Sequence, residues 1–337
     1  MKYGMKDIAK EAGVSLTTVS LVLNNKFIRI SDKKKQEIKK IAKKMNYRPN
    51  SAAVSLSKQI SYNIALIVPD ISNPFFSELV KNVSTQLNIN LYNTLLVNSD
   101  NSYKNEKKAI QNALSQGVDG ILLVPSNELF SVDRSEVEHF ISEIDKPFIF
   151  LNAYSDMNIN YVNFDNIKGA EMATQELIDH HHQNIAFIKG KDKFVNANER
   201  YIGYQNVLSQ NNIKLNENFV FEGDYTMKSG YKLAPKILKN NKITGIVSSN
   251  DLMLFGMIKW AKQNDFPVFE KLSMVGFDNN PYTEVLEHPL TTIDQDINEM
   301  ALKSVKLLLE MISSNKKIKK EIIIKPYLIK RETVHDI

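Results

Sequence analysis

The chain of 337 residues is 43% hydrophobic and 24% charged, the balance of an ordinary soluble globular protein, and it is long enough for two or three domains. No apolar run approaches the roughly 20 residues of a membrane-spanning helix, and the N-terminal segment lacks the apolar stretch of a secretory signal. The absence of cysteine excludes disulfides and thiol chemistry. We therefore expect a cytoplasmic protein without membrane contact, because a reducing compartment suits this composition.

Charge is divided unevenly along the chain. Residues 1–60 hold 14 basic and four acidic side chains, a net charge of +10, whereas the rest carries 29 basic and 34 acidic groups, a net charge of −5. A basic head on a mildly acidic body favours a polyanion as the partner of the head. On charge alone, a solvated lysine-rich face remains the alternative.

Three helices are predicted in the head from hydrophobic spacing and capping residues. The first covers about residues 6–12 and ends at Gly13, a residue type that commonly terminates helices. Ser15 can cap a second helix that runs to about Asn24, and Ser31 can cap a third, in which apolar residues recur every three to four positions. The tight Gly-Val-Ser turn between the first two helices predicts a helix-turn-helix.

In a helix-turn-helix, the second helix enters the major groove of DNA with its N-terminal residues toward the bases. Hydroxyl and amide groups there can bond phosphates or base edges, and leucines can contact thymine methyl groups. The candidate DNA contacts of this helix are Ser15, Leu16, Thr17, Thr18, Ser20, Leu21 and Asn24. A three-helix domain that binds another protein is the alternative, but the charge of +10 favours DNA.

The segment KDIAKEAGVSLTTVSLVLNN, followed by ISDKKKQEIKKIAKKMNYRPN, closely resembles the DNA-binding head of the LacI/GalR family of bacterial repressors. The resemblance implies a DNA-binding domain over residues 1–49 that reads one half of a pseudo-palindromic operator. One position departs from the family, because Leu21 stands where relatives usually have arginine. Arginine can bond guanine O6 and N7 with two donors and leucine cannot, so we expect a different operator base there.

The stretch YRPNSAAVSLSKQ has the polarity of a linker, yet it could form a short helix with one apolar edge. The resemblance implies a hinge helix over residues 50–60 that inserts into the minor groove at the operator centre. A helix of about eight residues is marginal in water, so we expect it to form only on DNA, beside the hinge of a second subunit. The candidate contacts added here are Tyr47, Asn50, Ala53 and Leu56, with Leu56 as an apolar wedge between base pairs.

The body alternates strand-like and helix-like segments, which is typical of a doubly wound α/β fold. Buried strands of a parallel sheet are predicted at residues 64–68, 93–97, 120–124, 147–151, 161–164, 185–188, 245–249 and 273–277. Amphipathic helices are predicted at residues 76–90, 104–116, 168–180, 199–211 and 252–264. One sheet is possible, but two lobes of Rossmann-like topology fit the length better.

Ligands of such folds bind beyond the carboxyl ends of the strands, where this chain carries many aspartates and asparagines. Each alone could be a helix cap, but together they would border one crevice. Carboxylates, amides and an arginine suit a hydroxyl-rich, uncharged ligand such as a sugar, and aromatic rings can stack on it; a purine base would suit the same groups. The candidate effector contacts are Asp70, Asn73, Phe75, Phe76, Asn152, Arg200, Asp251 and Asp278.

The family resemblance continues through the body in VPDISNPFFSEL, FDNIKGAEMATQELIDHHHQNIAFIKG, ERYIGY, SSNDLMLFGMIKWA, SMVGFDNNPYTEVLEHPLTTIDQD and YLIKRETV. It implies a periplasmic-binding-protein-like domain for effector binding and dimerisation over residues 61–337, with two lobes crossed by three connections. The expected bounds are about 61–162 plus 293–323 for the N-lobe and about 163–292 plus 324–337 for the C-lobe. Arg200 and Asp251 occupy positions where relatives commonly bind effector hydroxyls.

The sequence carries no convincing catalytic or cofactor signature. A phosphate-binding loop, a dinucleotide fingerprint and a nucleophile elbow are all missing from it. The histidine run at residues 180–182 is a poor metal site, because neighbouring side chains point in different directions. We therefore expect no enzyme, no cofactor and no metal. A periplasmic binding protein is disfavoured, because it would need export and would not need a basic head.

Together these patterns predict an all-α helix-turn-helix head joined by a hinge helix to a two-lobed, doubly wound α/β body. The predicted function is that of a homodimeric, ligand-responsive transcription regulator that binds double-stranded DNA. The leading interpretation is a repressor of carbohydrate uptake or catabolism genes whose operator binding responds to a sugar or sugar phosphate. The alternative is a regulator controlled by a purine corepressor or by a phosphoprotein partner.

Overall fold

The computed structural model describes residues 3–47, 60–153, 159–192, 194–314 and 319–337. The chain divides into two compact units, the head (Met1–Ser61) and the body (Tyr62–Ile337). Within the described ranges, no helix is both long enough and apolar enough to cross a membrane.

Residues 3–47, the described part of the head, form three short helices. They are α1 (Met5–Ala12), α2 (Leu16–Leu23) and α3 (Asp32–Lys44). Gly13 ends α1 with a left-handed backbone (φ 60°), which glycine adopts without strain. The hydroxyls of Ser15 and Ser31 accept hydrogen bonds from the backbone N–H groups of Thr18 and Lys34, and so cap α2 and α3. The three predicted helices and both predicted caps are confirmed.

A small apolar core holds the three head helices together. Ile8 of α1, Val19 and Val22 of α2, and Ile38 of α3 are all buried in it. Val22 of α2 is 3% exposed in this core, whereas Leu16 of the same helix is 43% exposed. One face of α2 is therefore used for packing, and the first turn of α2 leaves an apolar side chain in solvent.

The body contains two sheets. Its strands are β1 (Asn63–Val68), β2 (Asn93–Asn98), β3 (Gly120–Leu123), β4 (Phe148–Leu151), β5 (Asn160–Phe164), β6 (Ile185–Lys189), β7 (Val220–Glu222), β8 (Gly245–Ser248), β9 (Ser273–Phe277), β10 (Thr291–Asp294), β11 (Glu321–Ile324) and β12 (Tyr327–Ile329). One sheet has the order β11-β5-β4-β3-β1-β2, and all its neighbours are parallel. The other has the order β12-β10-β9-β8-β6-β7, and only β12 is antiparallel. All eight predicted strands are confirmed.

Helices cover both faces of each sheet. They are α4 (Pro74–Ile89), α5 (Tyr103–Ser115), α6 (Arg134–Ser142), α7 (Asn166–Asp179), α8 (Val195–Gln210), α9 (Met227–Leu238), α10 (Asp251–Gln263), α11 (Val268–Lys271) and α12 (Ile297–Ser314). Alternate residues of a strand face opposite sides of its sheet. Leu66 of β1 accordingly packs with α4 and α12, and Ile67 packs with α5 and α6. In β6, Ala186 packs with α9 and α10, and Phe187 packs with α7 and α8.

The chain passes between the two sheets three times. The crossings follow β5, follow β10 and lie between β11 and β12. The first sheet with its helices is called the N-lobe, and the second is called the C-lobe. The expected lobe bounds need small corrections, because residues 163–164 and 324 continue strands of the N-lobe and residues 293–294 continue a strand of the C-lobe.

Candidate effector cavity and candidate DNA-binding surface

A cavity of about 440 Å³ lies in the body, beyond the carboxyl ends of the strands. Residues that follow β1 to β4 form its N-lobe side, and residues that follow β6 to β10 form its C-lobe side. Open α/β sheets bind ligands at this edge because the connections there carry polar groups that no strand uses. The volume lies within the roughly 300–1,000 Å³ typical of small-molecule sites.

Seven of the eight predicted effector contacts line this cavity. They are Asp70, Asn73, Phe75, Phe76 and Asn152 from the N-lobe and Arg200 and Asp278 from the C-lobe. One contact crosses the cavity between the lobes, where the side-chain amide of Asn196 donates to the carbonyl and side-chain oxygens of Asn152, each at 3.2 Å. The structure therefore brings residues 208 positions apart, Asp70 and Asp278, to one site.

The expectation for Asp251 needs correction, because this residue does not line the cavity. It is 1% exposed, and its two carboxylate oxygens accept the backbone N–H of Asn280 at 2.8 Å and the hydroxyl of Thr292 at 2.7 Å. Burial, followed by the nearby carboxylate of Asp278, raises the pKa of Asp251 well above its usual range. Asp251 thus joins the start of α10 to the segments around β9 and β10. Its neighbour Asn250 lines the cavity instead.

Arg200 is the centre of a buried polar network. The side chain is 4% exposed, and its Nε donates to Asn166 Oδ1 at 2.9 Å. Nη1 donates to the carbonyl of Ser249, and Nη2 donates to Gln295 Oε1 at 3.2 Å. Asn166 follows β5 and Gln295 follows β10, so one guanidinium contacts two of the three crossings between the lobes.

Asp278 is the charged partner of this arginine. Its Oδ1 lies 3.7 Å from Arg200 Nη1 and accepts a hydrogen bond from Gln295 Nε2 at 2.6 Å. The guanidinium also stacks on Phe277, 3.8 Å from the ring centroid. Burial raises the pKa of Asp278 to about 7, against the opposing effects of Arg200 and Gln295. The cavity wall therefore holds a buried acid beside a cation, each of whose three nitrogens already donates one hydrogen bond to the protein.

Aromatic rings form apolar walls of the cavity. Phe194 and Tyr225 are stacked with centroids 5.6 Å apart and an interplanar angle of 12°. Phe75 and Phe76 meet edge to face at 5.2 Å. Both predicted phenylalanines reach the cavity, although Phe75 also packs on Phe164 in the N-lobe core. Burial raises the pKa of Tyr225 to about 12, and its hydroxyl has no hydrogen-bond partner among the described residues.

Several lining residues were not among the candidate effector contacts. They include Asn101, Asn127, Phe130, Phe194, Asn196, Asp224, Tyr225, Asn250 and Gln295. Asn127 and Asn250 follow predicted strands, so their positions carried a usable signal that the choice of candidates did not use. Asp224 and Tyr225 follow β7, a three-residue strand that was not among the predicted strands, because its apolar run covers only residues 219–221.

The histidine run ends α7 and does not form a metal site. His182 is buried, and its two ring nitrogens are hydrogen-bonded to the Thr244 hydroxyl and to the carbonyl of His335, both at 3.0 Å. His180 instead lies 2.8 Å from Asp336. Within the described ranges, no group of three or more histidine, aspartate or glutamate side chains is arranged to hold a metal ion.

In the head, the candidate DNA contacts share the exposed side of α2. Leu16 and Thr17 are exposed, and Ser20 and Leu21 are half-buried one turn further on. The remaining candidates of this helix are held by local bonds: Ser15 and Thr18 join their hydroxyls at 2.9 Å, and Asn24 donates to the Ser20 carbonyl at 2.8 Å. Tyr47 is half-buried against the head core. Asn50, Ala53 and Leu56, with the predicted hinge helix, lie outside the described residues.

A helix-turn-helix head and a two-lobed body with a cavity at its strand ends define a ligand-binding regulatory protein. Comparison with known families agrees: residues 64–317 match the periplasmic binding protein domain, and residues 4–50 match the bacterial regulatory proteins of the lacI family. The chain belongs to the LacI family.

Three related proteins show how far the similarity extends. The HTH-type transcriptional regulator RegA of Clostridium saccharobutylicum is 32% identical over 336 residues, 99% of each chain. The Lac repressor dimer bound to operator and an anti-inducer has a TM-score of 0.88 at 25% identity, covering 99% of this chain and 100% of that one. A LacI family regulator of Enterococcus faecium with bound ribose has a TM-score of 0.73 at 27% identity, covering 82% of this chain and 99% of that one. The chain is accordingly a transcription regulator and not an enzyme.

Proposed function

We propose that this regulator is a homodimeric repressor of carbohydrate uptake or catabolism genes. Two heads bind the half-sites of a pseudo-palindromic operator, and a sugar or sugar phosphate in the body cavity changes operator affinity. The observation that carries the proposal is the composition of the cavity, in which a buried Arg200–Asp278 pair, several amides and stacked aromatic rings line one space. Hydroxyl-rich rings suit such a lining, because amides and carboxylates bond hydroxyls and aromatic faces cover the apolar side of a ring.

The position of the cavity supports a regulatory use of binding. Its lining comes from both lobes, and Asn152 and Asn196 already join across it. A ligand that contacts both lobes binds one lobe arrangement more tightly than another, and only such a difference shifts an equilibrium. Ribose bound in the Enterococcus faecium relative supports a sugar as the ligand class.

On the DNA side, we propose that the exposed face of α2 reads the major groove. Leu16, Thr17, Ser20 and Leu21 supply the solvent-facing surface for it, and the cap formed by Ser15 fixes the N-terminal end of the helix. The operator-bound dimer of the Lac repressor supports the dimeric arrangement. The hinge role of residues 50–60, with Leu56 as a minor-groove wedge, stays a prediction from the sequence.

A second candidate is a regulator whose corepressor is a purine. The parallel rings of Phe194 and Tyr225 favour it, because such a stack also offers a face to a planar base. Control by a phosphoprotein partner is the further alternative that the sequence left open.

A ligand panel tests the proposal. The purified full-length protein is screened by thermal shift against sugars, sugar phosphates and nucleobases, and each ligand that raises the melting temperature is titrated by calorimetry. We expect a carbohydrate to bind, because the cavity lining suits hydroxyl groups. Binding of a nucleobase with silence across all sugars and sugar phosphates would replace the leading proposal with the second one.

A further inference from the structure

Phe27 is the most exposed large hydrophobic side chain among the described residues. It is 88% exposed, and it lies in the short connection between α2 and α3. Removing a phenyl ring from water is favourable, so an exposed phenylalanine could gain free energy by contact with a partner. A single exposed apolar side chain is common and indicates no function by itself. Phe27 differs in that its loop is held by hydrogen bonds and packing and is flanked by cations.

The connection that carries Phe27 is ordered by hydrogen bonds on its N-terminal side. The backbone N–H of Lys26 donates to the carbonyl of Leu21 at 2.8 Å. Asn25 has a left-handed backbone (φ 53°), and its side-chain oxygen accepts a hydrogen bond from Lys39 Nζ of α3 at 2.8 Å. The loop is therefore attached to both helices that it joins.

On its C-terminal side the connection is held by packing. Ile28 and Ile30 both pack against the head core, and their backbones are joined by a bond of 3.0 Å. The side chains of Ile28 and Ile30 are thus directed inward, whereas that of Phe27 is left in solvent. Of the three apolar residues at positions 27–30, Ile28 and Ile30 are half-buried and only Phe27 is exposed.

The charge around Phe27 indicates the class of partner. Lys26 and Arg29 are both exposed on either side of it, in a head that carries a net charge of +10 over residues 1–60. The loop also follows directly on α2, whose exposed face includes Thr17 and Leu21. An apolar ring between two cations matches the DNA backbone, in which apolar sugar faces alternate with phosphates.

We propose that Phe27 packs on a deoxyribose of the operator backbone, next to the base contacts of α2, while Lys26 and Arg29 contact the adjoining phosphates. The assignment rests on the operator binding proposed above. It extends the DNA-contacting surface beyond α2 onto the loop that follows it. Because sugars carry no base identity, Phe27 contributes affinity and orientation rather than sequence preference.

The test uses full-length protein and an operator selected from random duplex DNA by the wild-type chain. Operator affinity is measured by fluorescence anisotropy over a series of salt concentrations for wild type, Phe27→Ala, Arg29→Ala and a control, Leu91→Ala. Leu91 is matched because it is 80% exposed but lies in the body. Melting temperatures are measured alongside, and Phe27→Ala should leave them unchanged because the side chain is 88% exposed.

We expect Phe27→Ala to weaken operator binding roughly tenfold with an unchanged salt slope, since an apolar contact releases no counterion. Arg29→Ala should lower the slope by about one ion, and Leu91→Ala should change neither quantity. Operator affinity of Phe27→Ala within twofold of wild type would overturn the inference. So would a loss that appears only with a changed oligomeric state, because Phe27 would then contact a second copy of the chain. If the wild-type chain selects no DNA, the proposed function itself fails.

Discussion

Asp251 and Asp278 are both buried carboxylates, yet they differ in what surrounds them. Both oxygens of Asp251 accept hydrogen bonds from the protein, from Asn280 and Thr292. Asp278 lines the cavity and bonds Gln295 through one oxygen. A mutation of Asp278 should therefore change effector affinity, whereas a mutation of Asp251 should change the stability of the body.

Asp278→Asn is expected to weaken effector binding by roughly 10- to 100-fold. Above its pKa of about 7, the Asp278 carboxylate accepts hydrogen bonds from ligand hydroxyls with a gain of about 1.5–3 kcal/mol, and a neutral amide loses much of that gain. Calorimetry with the carbohydrate found in the ligand panel measures the change. Affinity within threefold of wild type would remove Asp278 from the binding residues.

Asp251→Ala is expected to lower the free energy of unfolding of the body by about 2–4 kcal/mol. The substitution leaves the N–H of Asn280 and the hydroxyl of Thr292 without their buried acceptor and opens a small void. Denaturant titration followed by fluorescence measures the loss. An unchanged midpoint together with a lost effector affinity would restore the direct ligand role that the sequence suggested.

Glu106 gives the stability a pH dependence. Its side chain is fully buried on α5, Oε2 accepts the N–H of Ser126 at 2.6 Å, and Oε1 has no hydrogen-bond partner among the described residues. Burial raises the pKa of Glu106 from 4.5 to about 7, so the neutral acid is the form that the fold favours. The contribution of neutral Glu106 to the free energy of unfolding is complete below about pH 4.5, and it is lost as the pH rises through about 7.

Glu106→Gln should remove this part of the pH dependence. The glutamine stays neutral and keeps an acceptor for Ser126, so between pH 5 and 8 it should avoid a loss of up to about 3 kcal/mol that the wild type suffers. Melting temperatures of both proteins across that range measure the difference, and the exposed Glu143→Gln serves as control. Parallel curves for wild type and Glu106→Gln would show that the buried acid does not titrate there.

At the scale of elements, the strands that the sequence predicted are those with continuous apolar runs, such as β1 and β8. The sequence missed β7, β11 and β12, which have three to four residues with exposed positions, and β10, whose Thr-Thr-Ile-Asp pattern has one strongly apolar member. β7 and β12 are short edge strands that are fixed by pairing with a neighbour, so periodicity does not reveal them. β11 carries three consecutive isoleucines, an apolar signal that the predicted strands did not include.

Residues of the candidate site could be predicted from the sequence where they directly follow a predicted strand. Asp70, Asn152 and Asp278 follow predicted strands and do line the cavity. Choosing between Asn250 and Asp251 needed the direction of each side chain at the start of α10, and that direction is set by tertiary packing around Thr292. Sequence pattern contains no information on which of two adjacent polar residues faces a cavity.

Helix α8 joins the cavity to the connections between the lobes. Its Arg200 and Glu199 both bond Asn166, the first residue after the β5 crossing, at 2.9 and 2.8 Å. Asn166 itself is buried and does not line the cavity. An effector that contacts Arg200, as proposed, is therefore linked to a lobe crossing through one hydrogen bond.

Asn166→Ala should accordingly weaken the coupling between the effector cavity and the DNA-binding surface of the head. Effector affinity is expected to stay within about threefold of wild type. The coupling free energy between effector and operator binding should fall by about 1 kcal/mol or more, because Arg200 loses its hydrogen bond to the lobe crossing. Titrations of operator at zero and saturating effector measure this. The control is Asn206→Ala, an asparagine of α8 whose side-chain amide donates to Glu171 of α7 and not to Arg200 or Asn166. If the coupling free energy is the same in Asn166→Ala and Asn206→Ala, the coupling between effector and operator binding does not depend on Asn166.

At the scale of the whole molecule, charge and structure divide the work between two units. The head has a core of its own and carries the basic charge, and the body contains the cavity and both sheets. Regulation requires that these units communicate. We expect occupation of the body cavity to change the affinity of the head for its operator.

One measurement tests that claim most directly. A labelled operator, selected by the full-length chain, is titrated with protein in the absence and at saturation of the carbohydrate that calorimetry shows to bind, with Asp278→Asn as the control for binding through the cavity. The account predicts at least a fivefold change in operator affinity for wild type, the lower end of typical coupling free energies of about 1–3 kcal/mol. It also predicts that Asp278→Asn needs a correspondingly higher carbohydrate concentration for the same change. An operator affinity that stays the same with the cavity saturated would contradict it.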